Sequence, residues 1–288
     1  MFDFLPPLYT ISKLSNWNQL VSLSLNNCQV EQINFVSAFQ QISELHLQSN
    51  NIEDLSPLTG LIKLTYLNLK TNKVKCLHPI SNLINLTKLD VNTNHIQDLI
   101  SLRQLKMLRT LDIGYNSHID IWGLQLLHSL VNLKMNRCEI ADLSPIINLI
   151  NLKYLTANEN QLTQINVLHN LKVLQFIDLQ YNYVLNKKPY QYVKDKWLSS
   201  MQRELNISDN QVTNLSPISN LVSITFLNQL SKNSIVNIFP IQQFINLKVL
   251  VCFNYNVFNY KSKQYIWYFS CKVLLQSYIF KRGIKYDY

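Results

Sequence analysis

Leucine or isoleucine returns at a constant interval of 22 residues along most of this chain, at Leu20, Ile42, Leu64, Leu86, Leu108, Leu130, Leu152 and Leu174. Numbering each unit from that residue puts apolar side chains at positions 1, 4, 6, 11, 14, 17 and 20 and a small polar residue at position 9. The unit from Leu64 carries the whole pattern in Leu67, Leu69, Asn72, Val74, Leu77, Ile80 and Leu83. Apolar positions 4 and 6 alternate with polar positions 3, 5 and 7, which is the period of two of a short strand with one buried face. Each unit therefore predicts one strand in a stack of equivalent coils.

After the strand the chain must turn, and asparagine suits position 9 because its amide both donates to and accepts from backbone groups that a turn leaves without ladder partners. The residues in that role are Cys28, Asn50, Asn72, Asn94, Asn116, Cys138, Asn160, Asn182, Asn210 and Asn233, the last displaced by one place. Cysteine fits the two remaining sites because it is small and tolerates burial. The pattern predicts an internal ladder of amides rather than a set of ligands.

The return half of the coil holds Ser56-Pro57-Leu58, His78-Pro79-Ile80, Ser144-Pro145-Ile146 and Ser216-Pro217-Ile218. Proline fixes φ and lacks an N–H, so a short 3₁₀ or extended segment is predicted there instead of a full helix. Seven aliphatic side chains cannot offset the entropy of ordering 22 residues, so a single coil should not fold and stability must come from interfaces between coils.

The interval also has exceptions. The unit from Leu174 runs 28 residues to Gln202, and the unit from Ile224 runs 23 to Leu247. In the unit from Leu108, position 11 falls on His118 with Ile119 following, which predicts a local bulge near Asn116. Residues 1–19 read as a partial repeat: Ile11, Leu14 and Trp17 stand at positions 14, 17 and 20, as an N-terminal cap or as the cut edge of a longer array. Residues 20–257 form the array of about ten to eleven units, with an insertion at 183–201. In the insertion Val193, Trp197 and Met201 are spaced four apart, which fits a short helix with one apolar face or equally a loop; folding back on the array is the expectation, with contact to a partner or an anionic membrane as the alternative. Residues 258–288 hold ten aromatic residues and end the repeat; they are expected to cap the apolar cross-section of the last coil.

The formal net charge is +9, which at first suggests nucleic acid. Residues 183–203 contribute +4 and residues 258–288 contribute +5, so the rest of the chain is neutral. On positions 3, 5, 7 and 8, the open side of the predicted sheet, Glu44 to Asp209 holds four basic and seven acidic residues. A phosphate backbone needs positive charge along the contacted surface, so nucleic acid is a poor partner for that face. The basic segments 187–203 and 261–285 leave an alternative open, a peripheral binder of anionic membrane or another anionic ligand.

The open positions carry aromatic residues where solvent is expected. Tyr66, Tyr154, Phe176 and Phe226 take position 3, while Tyr115 and Tyr181 take position 8, near Asp112, Lys134 and Asp178. These nine residues are the candidate protein-binding site, since aromatic anchors on an open surface mark contacts. The competing explanation is that rings on adjacent strands pack along each other.

Nothing in the sequence points to catalysis, a cofactor or a metal. The six histidines are scattered, with neither HExxH nor a Cys–His cluster of metal spacing, and no glycine-rich phosphate loop is present. Five cysteines, an odd number, with Cys28, Cys138 and Cys252 on distant coils, predict free thiols. No run reaches 18 apolar residues, and Met1 to Leu20 lacks the basic start and apolar core of a secretory leader. A monomer in the cytoplasm, or in the nucleus, is the expectation.

The units ISELHLQSNNIEDLSPLTGLIK from Ile42 and LTYLNLKTNKVKCLHPISNLIN from Leu64 resemble leucine-rich repeats of the 22-residue class. Repeats of this type occur in the leucine-rich-repeat regulators of protein phosphatase 1 and, with the Ser-Pro-Leu turn, in bacterial internalins. The resemblance covers about Leu20 to Val257. It implies an α/β leucine-rich repeat solenoid, a curved right-handed coil with a parallel β-sheet on the concave face and short 3₁₀ or extended segments on the convex face. It also implies a non-catalytic scaffold for a protein partner, with a phosphatase catalytic subunit as one such partner. Internalins are secreted and the phosphatase regulators are intracellular, and the second setting fits a chain without a leader. The phosphatase contacts of that group do not map onto these open-face residues one by one, so no site is transferred.

Overall fold

A computed structural model describes residues 19–183, 204–213, 215, 224–228, 233, 235, 247 and 249–250. All but the last residue of the N-terminal cap predicted over 1–19, nearly all of the 183–201 insertion, the basic segments 187–203 and 261–285, and the cap at 258–288 lie outside them. The chain divides into two compact units, one of residues 1–139 with 145–152 and one of residues 140–144 with 153–288.

In the first unit each coil contributes one three-residue strand: β1 (Ser22–Ser24), β2 (Glu44–His46), β3 (Tyr66–Asn68), β4 (Lys88–Asp90), β5 (Thr110–Asp112) and β6 (Asn132–Lys134). Neighbours pair in parallel with a shift of one full repeat, so that Leu45, Leu67, Leu89, Leu111 and Leu133 stand in one row. The register follows from the sequence, because a slip of one residue would turn every position-4 leucine into solvent. In the unit from Leu64 all seven predicted apolar side chains are at most 2% exposed.

The second unit repeats the plan with β7 (Tyr154–Thr156), β8 (Phe176–Asp178), β9 (Glu204–Asn206), β10 (Phe226–Asn228) and β11 (Val249–Leu250), again parallel and in chain order. The lengthened repeat does not break the register, since Ile177 still aligns with Leu205. The lengthening lies between two strands, where it leaves pairing intact.

The return halves are short 3₁₀ segments, as proline at their start predicts: Ser56–Leu58, His78–Ile80 and Ser144–Ile146. Coils without proline also use 3₁₀, over Asn34–Ala38, Ile100–Gln104, Trp122–Leu126 and Asn166–Asn170. Several begin on a carboxylate at position 13 that escapes the repeat pattern. The Asp54 and Asp142 Oδ1 atoms accept from the backbone N–H of Ser56 and Ser144 at 2.8 Å, and Asp98 and Asp120 do the same for Ile100 and Trp122. These are Asx turns, in which the side chain serves the N–H groups that a new helical turn leaves open. The side-chain and backbone hydrogen bonds from Ser56 hold the Asp54 carboxyl below its ordinary range.

The predicted amide ladder is present. Asn72 accepts from the Ile52 N–H at 3.0 Å and donates to the carbonyls of Leu47 and Leu69 at 2.9 Å, so one side chain ties its own turn to the coil before it. Asn94, Asn116, Asn182 and Asn210 donate in the same way to the position-6 carbonyls of both coils. The displaced Asn233 keeps the role, accepting from Val212 N–H at 3.0 Å and donating to Ile207 O at 2.9 Å. The Cys138 thiol takes over part of it with contacts to Ile113 O and Asn136 O at 3.2 and 3.3 Å. Burial pushes that thiol up to about 11.

The turn that presents these amides is left-handed at position 8. Asn27, Ser49, Thr71, Thr93, Tyr115, Arg137, Glu159, Tyr181 and Asp209 all have φ between 52° and 59°. No glycine occupies any of these sites, so the amide ladder must outweigh the roughly 1 kcal/mol that the conformation costs each residue. The bulge predicted near Asn116 is also present: His118 has φ 58° and Ile119 takes its place in the core, 7% exposed.

Candidate functional site

The candidate site is built on residues that the pleat turns away from the core. In the first unit Tyr66 on β3 is half-buried, with its ring edge-to-face with His46 at 4.8 Å and the Lys88 Nζ 6.0 Å from its centroid. Tyr115, in the position-8 turn, is 45% exposed and lies 5.3 Å from the Arg137 guanidinium. Lys134 is exposed on β6 and aligns with Asp112 on β5. Beside them His118 Nδ1 lies 2.9 Å from Glu139 Oε2, an ion pair when the imidazole is protonated.

In the second unit Tyr154 and Phe176 stand opposite each other on β7 and β8, and Phe176 and Phe226 both face Glu204 of β9. Tyr154 is 43% exposed and Tyr181 is 47% exposed, while Phe176 and Phe226 are half-buried. Tyr183, which sequence reasoning left out because it falls at position 10, is 51% exposed in the same turn.

Asp112 and Asp178 have a structural role that the repeat pattern hides. Asp112 Oδ1 accepts from Gly114 N–H and from Asn92 Nδ2, both at 3.0 Å. Asp178 accepts from Gln180 N–H at 3.2 Å and from Asn158 Nδ2 at 3.4 Å. Asn68 and Asn206 join the same network through Gln48 and Gln180. Side chains at positions 5 and 7 thus form a second polar ladder on the open side of the strands within each unit. The sequence signal is Asn, Asp or Gln recurring at positions 5 and 7.

No protein-family model matches the chain, and no curated protein matches it. Solved structures do. An internalin from Listeria monocytogenes superimposes with a TM-score of 0.65 at 24% identity, covering 84% of this chain and 78% of that one. A leucine-rich repeat protein of Leptospira interrogans gives 0.76 at 24% identity, with 89% of this chain aligned to 66% of the other. The leucine-rich repeat ectodomain of an Arabidopsis thaliana membrane receptor kinase, solved in complex with Casparian strip integrity factor 2, gives 0.58 at 20% identity, covering 82% of this chain and 33% of that one.

The fold is a leucine-rich repeat solenoid. At these identities the likeness is one of fold. Among its described residues no group of His, Cys, Asp and Glu is placed to hold a metal ion, and no helix is long and apolar enough to cross a membrane. Cys28, Cys76 and Cys138 take part in no disulfide among the described residues, and Cys252 and Cys271 lie outside them. A second apolar group lies on the 3₁₀ side, where Ile100, Trp122 and Leu126 are 50%, 47% and 43% exposed.

The carboxylates of the sheet face are poised by their surroundings. Burial raises the Asp90 carboxyl above its ordinary 3.8, against the Asn92 N–H bond that lowers it, and Asp112 raises it further. Burial likewise raises Asp178, with Glu204 adding to the effect. A carboxyl raised in the folded state favours folding when protonated, so this contribution is present below pH 3.8 and is lost as pH rises through the folded-state value. Asp90→Asn keeps the Oδ1 acceptor without the charge. We expect its melting midpoint to rise by roughly 1–3 °C at pH 7 and the gain to shrink as pH falls toward 4. A midpoint below wild type at pH 7, measured by circular dichroism, would show that the Asp90 charge is not held at a cost by burial and repulsion.

Proposed function

We propose that this solenoid is a non-catalytic protein-interaction scaffold that binds a protein partner through its open strand face. The observation that supports the reading is exposure: Tyr115 in the first unit and Tyr154 and Tyr181 in the second stay 43–47% exposed at open-face positions. Tyrosine presents a large rigid contact area at low entropic cost and is concentrated at the energetic centres of interfaces. Leucine-rich repeat regulators of protein phosphatase 1 supply one class of partner to test, a phosphatase catalytic subunit. A reducing, cytoplasmic setting belongs to the same proposal, since Cys76 is an exposed free thiol.

The test is affinity capture with the wild-type chain and with Tyr154→Ala combined with Phe176→Ala. Both residues lie on adjacent strands of the second unit, where truncation removes contact area without opening the core. We expect the double variant to keep its melting midpoint within a few degrees and to lose the captured partner by at least tenfold, since each anchor is worth about 1–2 kcal/mol or more. Capture unchanged by the double substitution removes the second unit's share of the site. The alternative reading, a peripheral binder of anionic membrane through segments 187–203 and 261–285, is marked by salt-sensitive binding to acidic vesicles.

A further inference from the structure

The two units divide the charge of the open positions unequally. All four basic residues that these positions hold between Glu44 and Asp209, namely Lys70, Lys88, Lys134 and Arg137, belong to the first unit. The second unit holds Glu159, Asp178, Glu204 and Asp209 beside Tyr154, Phe176, Tyr181 and Phe226, with no basic residue at positions 3, 5, 7 or 8. A charge count over the whole face conceals this partition. Lys153 precedes β7 at position 2, outside those four positions.

We propose that the strand face of the second unit docks an arginine- or lysine-bearing polypeptide segment of a partner protein, held between its aromatic rings and carboxylates. The inference rests on the scaffold reading above and specifies the chemistry of its partner. Strand pairing places Glu204 between Phe176 and Phe226, and Tyr154 next to Phe176 on the other side. In the turn row, Tyr181 lies between Glu159 and Asp209 in coil order. A guanidinium suits this arrangement because it stacks on an aromatic face while its N–H groups donate to a carboxylate at the edge. An acidic segment would be repelled by four carboxylates, and a purely apolar one would desolvate them without supplying positive charge. Asp178 and Glu204 already repel one another, and an incoming cation relieves that repulsion.

The probe is a fluorescein-labelled nona-arginine peptide, with nona-glutamate and a Gly-Ser peptide of equal length for comparison, titrated into the full chain and read by anisotropy. The chain carries a net charge of +9, so its overall field repels the probe and any association reports a local acidic face. We expect nona-arginine alone to bind, to weaken about tenfold in Glu204→Gln combined with Asp209→Asn, and to weaken further as salt rises. Glu159→Lys, in the half-buried position-8 turn, is a second variant should the first lose structure, and it should weaken binding in the same direction. Nona-arginine binding that neither variant changes overturns the assignment. So does absence of binding while capture still depends on Tyr154 and Phe176, in which case the scaffold reading stands and only the cationic partner falls. Loss of both results removes the scaffold reading as well. Dimerisation abolished by the Glu204 and Asp209 substitutions puts a second copy of the chain on this face and likewise overturns the proposal.

Discussion

Gly123→Ala is expected to destabilise the first unit by roughly 3 kcal/mol or more, a large effect for one methyl group. A Cβ at Gly123 would sit 2.0 Å from the Leu99 carbonyl oxygen and 2.2 Å from its carbon, and both are backbone atoms that no rotamer change can move. The close approach has a visible cause. Asp98 and Asp120 form a parallel bridge, with Asp120 N–H donating to Gln97 O at 2.7 Å, which draws the Trp122–Leu126 segment against the coil before it. Relief of the clash requires the two coils to part, and the buried Leu102 and Leu124 would lose packing with them. Gly60→Ala is the control, because a Cβ there meets only the flexible Gln40 amide at 3.9 Å. Urea denaturation should show a lowered midpoint for Gly123→Ala and a change within about 0.5–1 kcal/mol for Gly60→Ala. Equal effects at the two glycines would show that close coil packing at Gly123 is not what limits stability.

Asn72→Ala is expected to cost roughly 2–3 kcal/mol although it removes only a small side chain. The substitution leaves the buried Ile52 N–H without its acceptor, while the Leu47 and Leu69 carbonyls lose one donor each and keep another in Asn50 and Asn94. Each buried polar group stranded in this way costs about 1–3 kcal/mol. Asn72→Cys should fall between alanine and wild type, since the Cys138 thiol already serves equivalent carbonyls but a thiol is a poor acceptor for an N–H group. Hydrogen exchange should show the Ile52 amide losing protection in both variants and more so in alanine. An exchange rate at Ile52 that neither substitution alters would refute the ladder as the tie between these coils.

The sequence exposes what repeats and conceals what occurs once. Period-two alternation around Leu67 and Leu69 and the amide at Asn72 recur in nearly every unit, so strand, register and ladder are legible as a pattern. Gly123 occurs at a position where other coils carry proline, serine or a larger residue, and nothing in its neighbours announces that two backbones converge there. The left-handed turn at position 8 is equally silent, because Ser, Thr, Tyr, Arg and Glu occupy it as readily as Asn and Asp. Of the nine candidate site residues, sequence places all on the open face, and pairing then separates their roles. Asp112 and Asp178 are held in the second polar ladder, while Tyr154, Tyr115 and Tyr181 remain exposed.

The amino-acid sequence by itself determined the parallel stack of one-strand coils, because burial of aliphatic side chains at a fixed interval admits one register and one inward face. Tertiary structure alone decided how close neighbouring coils come at Gly123, which carboxylates are spent on the sheet's own hydrogen bonds, and which aromatic rings flank Glu204. Those outcomes depend on atoms 20 to 28 residues apart in the chain meeting within a few ångströms, and distances of that kind are set by stacking rather than by any local propensity.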